Sequence, residues 1–85
     1  MNLTLYHRPY CHLCEEMGAA LAPIASELGL TVTRVDIETD AELEARYGLL
    51  IPVLVCDGSE LCHYRLDEPA VRRFVAAKRA TRSTR

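Results

Sequence analysis

No apolar run in this sequence approaches the roughly 20 residues that a membrane-crossing helix needs, so no such span is expected. The first residues, MNLTLYHRPY, lack the basic start and apolar stretch of a secretory leader. The expected compartment is therefore the cytoplasm, where thiols are kept mostly reduced. Charge excess is also missing: 10 Lys and Arg against 12 Asp and Glu leave a net charge of −2, which gives no global attraction to nucleic acid or to an acidic membrane. There is no internal repeat and no low-complexity linker, and 85 residues make a single domain. A chain this short buries only about 60–65% of its unfolded surface and is marginally stable. Its 49% hydrophobic and 26% charged residues are ordinary for a soluble globular protein.

What is present is four cysteines, two of them in Cys11-His12-Leu13-Cys14. In a reducing compartment they point to catalysis or metal binding rather than to structural bridges. The hydrophobic pattern places the pair. Asn2 to Tyr6 alternates polar and apolar residues, which predicts a first strand. His7 to Tyr10, with Pro9 inside, is a connecting loop. From Cys11 to Leu28 the period becomes helical, with Leu13, Met17, Ala20, Leu21, Ile24 and Leu28 on one face. Pro23 removes a backbone donor and is expected to kink or split this helix near Ala19, and Gly29 ends it.

Thr31 to Ile37 is a β-branched second strand. Thr39-Asp40-Ala41-Glu42 looks like a capping box opening a helix from Asp40 to Tyr47, with Gly48 as its stop. Ile51 to Cys56 and Leu61 to Arg65 read as a hairpin around the turn Asp57-Gly58-Ser59-Glu60. Asp67-Glu68-Pro69 opens a last helix with Val71, Phe74 and Val75 facing the core. Residues 1–78 make the domain, and 79–85 are expected as a flexible basic tail. The order β-α-β-α-β-β-α is an α/β pattern. A long crossover helix makes the first two strands parallel, and the hairpin adds two antiparallel strands.

Cys-x-x-Cys alone is a weak signal, but here it follows a strand and a short loop and begins a helix. A helix N-terminus carries unpaired N–H groups and about half a positive charge, which stabilises a thiolate. Cys14, three residues on, lies on the same side of the first turn, so its sulfur can reach that of Cys11. Cys11 is expected as the exposed nucleophile. Cys14, beside Met17 and Leu21, is expected as the resolving cysteine. Arg8 adds positive charge before Cys11, whereas Glu15 and Glu16 oppose the thiolate while suiting the helix dipole. His12 either tunes the nucleophile or points into solvent. Tyr6 and Tyr10 flank the loop; they line a substrate groove, or Tyr6 belongs to the core. The bland alternative makes Cys11 and Cys14 ordinary small core residues.

The run Leu3-Thr4-Leu5-Tyr6-His7-Arg8-Pro9-Tyr10-Cys11-His12-Leu13-Cys14-Glu15-Glu16 resembles the start of glutaredoxin-like proteins of the thioredoxin superfamily. Ile51-Pro52-Val53 is similar to that superfamily's cis-proline segment, and the resemblance covers roughly residues 2–77. It implies a thioredoxin-like α/β fold, with a four-stranded mixed sheet of order 2-1-3-4 and three helices. It also implies Cys11 as nucleophile, Cys14 as resolving cysteine, and a cis Pro52 beside them that presents the backbone of Ile51 to an extended substrate. From residue pattern alone Pro52 reads equally as the first residue of an edge strand. The substrate binders expected around the dithiol are Arg8, Tyr10, His12, Ile51 and Pro52. Typical glutaredoxins have Pro-Tyr where this chain has His12-Leu13, and Gly-Gly where it has one glycine in the turn. The chain also lacks the tryptophan of the thioredoxin motif.

The implied activity is a thiol–disulfide oxidoreductase that reduces protein disulfides or glutathione mixed disulfides. No tightly bound cofactor is expected, and glutathione is the reductant the resemblance suggests. The rival expectation is a non-catalytic binding module for a protein partner or a metal or iron–sulfur cluster. Zinc would need four ligands, and Cys11 and Cys14 supply two unless His7 and His12 fold back, so no metal site is expected. If the hairpin loop is Gly58-Ser59, Cys56 and Cys62 face opposite sides of the sheet, and both are expected as free thiols. Six of the ten basic residues lie between Arg72 and Arg85, with no aromatics interleaved to stack on bases, so no nucleic acid is expected. A monomer is expected.

Overall fold

Alternation along the strands decides which residues meet which helix. The computed structural model describes residues 1–83. In chain order it holds β1 (Asn2–His7), α1 (His12–Leu28), β2 (Thr31–Asp36), a 3₁₀ turn (Ile37–Thr39), α2 (Ala41–Tyr47), β3 (Val53–Cys56), β4 (Ser59–His63) and α3 (Glu68–Ser83). Successive side chains of a strand point to opposite faces. Leu3 and Leu5 of β1 therefore share a face with Leu54 and Cys56 of β3, packing against Met17, Leu21 and Ile24 of α1 and Val71 and Val75 of α3. The other face carries Tyr6, Val53 and Val55, packed with Ile37 and Tyr47. The strand order is β2-β1-β3-β4, as the resemblance implied. β1 runs parallel to β2 and antiparallel to β3, with Leu5 opposite Leu54 and Tyr6 opposite Val53. β4 is antiparallel to β3. The chain therefore leaves β1, β2 and β4, and enters β3, at one end of the sheet.

Pro23 does not split α1, which is a single helix. Pro23 and Ala19 are both exposed, so the carbonyl that loses its donor faces water. The buried stripe is Cys14, Met17, Leu21, Ile24 and Ala25, and the expected Ala20 lies outside it, in solvent. Gly29 ends the helix with φ 67°, a left-handed conformation that glycine adopts without strain. β2 stops at Asp36, whose carboxylate accepts the Glu38 N–H and opens the 3₁₀ turn, so Ile37 is buried there rather than in the strand. The N-cap of α2 is Asp40, not Thr39: Asp40 accepts the N–H groups of Glu42 and Leu43, while the Thr39 hydroxyl donates to the Asp36 carbonyl.

The hairpin corrects the register expected from sequence. Its two-residue loop is Asp57-Gly58, with φ of 51° and 78°, the turn that Asp-Gly favours. Cys56 pairs with Ser59, Val55 with Glu60, and a bulge then sets Leu54 opposite Cys62. Cys56 and Cys62 consequently sit on the same face rather than opposite ones, and both are free thiols. The stretch expected as a tail from residue 79 is helical through Ser83, and the Arg79 guanidinium donates to the Leu28 carbonyl. The rest of that expectation, residues 84 and 85, lies outside the described residues. Among the described residues no helix is long and apolar enough to cross a membrane.

Two outcomes test this packing. Leu54 is fully buried between β1 and β4, and Leu54→Ala should cost about 2–5 kcal/mol by urea titration, a large share of the ~5–15 kcal/mol a small domain has. Arg72 of α3 grips Glu27 of α1 with two hydrogen bonds, of 2.7 and 3.0 Å, and holds its carboxyl below the usual carboxylate range. A depressed carboxylate stabilises the fold above its unfolded pKa, and that contribution is lost as pH falls through the folded value. Glu27→Gln should lower Tm slightly at pH 7, with the gap from wild type closing in acid.

Candidate active site

The start of α1 lies at the end of the sheet where β1 finishes. Cys11 is the N-cap, with extended backbone (φ −101°, ψ 108°), and its Sγ accepts the Cys14 N–H at 3.2 Å. An N-cap needs a side-chain acceptor for the first free N–H groups, and here sulfur takes the place usually filled by a hydroxyl or carboxylate oxygen. Cys11 and Cys14 are joined by a disulfide, with their Cα atoms 5.2 Å apart. The two sulfurs differ in access. Cys14 is 2% exposed because it begins the apolar stripe of α1, whereas Cys11 is half-buried and borders a shallow depression of about 280 Å³ with Tyr10, His12 and Glu15.

The other residues singled out in the sequence divide into those at the dithiol and those turned away. Tyr10 is fully exposed, with φ 60°, a backbone region that bulky residues rarely occupy. His12 points into solvent and pairs with Glu16, Nε2 to Oε2 3.2 Å, instead of lying over the cysteines. The Arg8 guanidinium donates to Glu44 of α2, and its Nε lies 3.7 Å from Glu38, so two carboxylates share the charge it would lend the site. Tyr6 is half-buried and stacked on Tyr47, ring centroids 4.5 Å apart, which assigns it to the core.

The Ile51–Pro52 bond is cis, and Pro52 is fully buried. Ile51 is half-buried. Its N–H already donates to the Tyr47 carbonyl at 3.1 Å, leaving its carbonyl as the backbone group that can meet an incoming chain. Two residues at this end of the sheet were not singled out from sequence: Leu49, 91% exposed, and Tyr64, 45% exposed. Together with Tyr10 they are the exposed large apolar side chains among the described residues. The signal that finds them is topological, because the loops before β3 and after β4 open at the end where β1 delivers Cys11.

The two remaining thiols are built differently. Burial pushes the Cys56 thiol up, with neighbouring Asp57 adding to it, and the thiol donates to the Asn2 carbonyl at 3.5 Å. Burial likewise pushes the Cys62 thiol up. Among the described residues no group of three or more His, Cys, Asp and Glu side chains is disposed to hold a metal ion, and His7 and His12 do not join the cysteines in one.

The glutaredoxin-like domain (DUF836) family model matches residues 2–76. A Nitrosomonas europaea protein solved by NMR is 35% identical, with a TM-score of 0.78 over 86% of this chain and 88% of its own. An X. campestris protein solved by X-ray crystallography is 41% identical, with a TM-score of 0.71 over 88% of this chain and 96% of its own. Thioredoxin 1 from Thermosipho africanus is 12% identical and superimposes with a TM-score of 0.62 over 93% of this chain and 99% of its own, a likeness of fold.

The four thiols should separate by rate. After reduction, iodoacetamide at pH 7 should modify Cys11 about tenfold or more faster than Cys56 or Cys62, because a helix N-terminus favours a thiolate and burial disfavours one. Peptide mapping over a time course reads this directly. Equal rates at Cys11 and Cys62 would contradict the assignment.

Proposed function

The chain belongs to the glutaredoxin-like domain (DUF836) family, and from that membership we propose that it is a thiol–disulfide oxidoreductase acting through Cys11 and Cys14. The observation that carries the reading is the unequal pair. One sulfur is reachable and caps a 17-residue helix, and the other is buried one turn behind it. The thiolate of Cys11 attacks one sulfur of a substrate disulfide, and the first substrate thiol leaves and takes a proton. The Cys14 thiolate then attacks Cys11 Sγ in the mixed disulfide and releases the second substrate thiol. Two electrons and two protons pass to the substrate, and the protein is left with the Cys11–Cys14 disulfide.

The proposed substrate is a disulfide-bearing polypeptide. The exposed Tyr10, Leu49 and Tyr64 at the dithiol end support it, because apolar side chains in solvent gain by covering an extended chain. The free carbonyl of Ile51 supplies an acceptor for the backbone of that chain. Glutathione is the proposed reductant of the oxidised protein, carried from the family resemblance. A reductase of this kind acts in a reducing compartment such as the cytoplasm.

Reduction of a protein disulfide by the wild-type chain and two variants tests the assignment. Cys11→Ser should fall to the rate of the buffer control. Cys14→Ser should accumulate a mixed disulfide through Cys11, visible as an adduct by mass spectrometry. The couple should equilibrate with glutathione buffers at about −270 to −200 mV, the range of thioredoxins and glutaredoxins. A Cys11→Ser protein with full activity would refute the mechanism.

A further inference from the structure

Tyr64 is bonded to both ends of the segment Leu49–Pro52. It follows β4 directly and has φ 64°, an unfavourable conformation for a bulky side chain. From that position it makes two hydrogen bonds to one loop. Its N–H donates to the Pro52 carbonyl at 2.9 Å, and its hydroxyl donates to the Leu49 carbonyl at 2.9 Å. The His63 ring meets it edge-on, centroids 4.6 Å apart.

The two bonds grip opposite ends of the segment. Between them, the N–H groups of Leu50 and Ile51 both donate to the Tyr47 carbonyl, at 2.8 and 3.1 Å, which ties the middle to the end of α2. The Leu49 side chain receives no such support: it is 91% exposed, so no packing fixes it. Where Leu49 stands depends on its backbone, and the Tyr64 hydroxyl is the side-chain group bonded to that backbone.

We propose that Tyr64 is a positioning residue for the reductase reaction. Its hydroxyl holds Leu49–Pro52 at the end of the sheet where β1 delivers Cys11, which sets Leu49 and the Ile51 carbonyl where a polypeptide substrate meets them. This rests on the dithiol reading above. Tyr64 touches no reacting atom. It acts through the loop, so it governs how tightly a polypeptide is held, not the transfer between sulfurs.

Reduction of insulin disulfides, with KM and kcat measured separately, tests this on the full chain. Tyr64→Phe keeps the ring and removes only the hydroxyl. It should raise KM about fivefold, the worth of one neutral hydrogen bond, with kcat changing less than twofold and the Cys11–Cys14 potential unmoved. Tyr64→Gly suits the left-handed backbone, so it keeps the fold, and it should raise KM at least as far. An unchanged KM in Tyr64→Phe overturns the proposal, even with KM raised in Tyr64→Gly, since that pattern reports lost ring contact and not lost positioning; so does a change confined to kcat or to the potential. A wild-type chain that never forms the Cys11–Cys14 couple overturns the dithiol reading and this proposal together. That outcome is distinguishable, because it is seen before any variant is made.

Discussion

The antiparallel pairing of β1 with β3 is the constraint from which the site follows. Leu5 lies opposite Leu54 and Tyr6 opposite Val53, so the chain enters β3 at the end of the sheet where it leaves β1. That brings Ile51 and Pro52 to the end from which the loop runs to Cys11. The pairing is enforced from both faces, with Leu3, Leu5 and Leu54 fully buried against α1 and α3 and Val53 fully buried on the α2 side. A slip of one residue would turn every one of these side chains to the wrong face. Core packing therefore sets the geometry of the site, and the burial of Cys14 is part of it: Cys14 is the first member of the stripe that Met17, Leu21 and Ile24 continue.

The electrostatics of the dithiol are local. Arg8, the cation nearest in sequence before Cys11, is engaged by Glu44 and Glu38, and His12 is paired with Glu16. Exposed pairs of this kind contribute about 0–1 kcal/mol and are screened by salt, so their net field at the sulfur is small. The first turn of α1 adds Glu15, which opposes a thiolate. What remains in favour of charge on Cys11 is the helix end itself: the N–H of Cys14 aimed at Sγ, within a dipole effect of about 0.3–1 kcal/mol at an exposed terminus. In the proposed mechanism it is the backbone, more than any side chain, that favours charge on Cys11.

Much of this was legible in the sequence, and the misses have physical causes. The order of elements and the dithiol at a strand–helix junction followed from periodicity and from Gly29. The sheet order and the cis bond at Pro52 came from family resemblance, since neither is written in local pattern. Of the kink or split expected at Pro23 the split does not occur, because the cost of a proline depends on whether the carbonyl it orphans can reach water, and that of exposed Ala19 can. The hairpin register failed because a bulge breaks the count of two that strand reading relies on. Tyr64 and Leu49 carried no local signal. They matter through a hydrogen bond spanning 15 residues, which only the folded sheet brings together.

The tyrosines of this end of the molecule bear on what it was built to meet. Among the described residues four turn or cap positions besides Tyr64 have positive φ: Tyr10, Gly29, Asp57 and Gly58. At Gly29 and Gly58 the chain uses glycine, which bears the conformation without strain, and Asp57 is of a type that tolerates it in an Asp-Gly turn. Tyr10 and Tyr64 break the rule, each at an expected cost of about 1–3 kcal/mol in a domain whose whole stability is ~5–15 kcal/mol. Glycine would relieve both. Tyr64 recovers part of that cost through its bonds to Leu49 and Pro52 and its contact with His63, whereas the Tyr10 side chain is fully exposed. Both strained residues lie at the dithiol end of the sheet. In the proposed function the polypeptide substrate supplies the contact that Tyr10 lacks, because an exposed aromatic side chain gains when an apolar chain covers it.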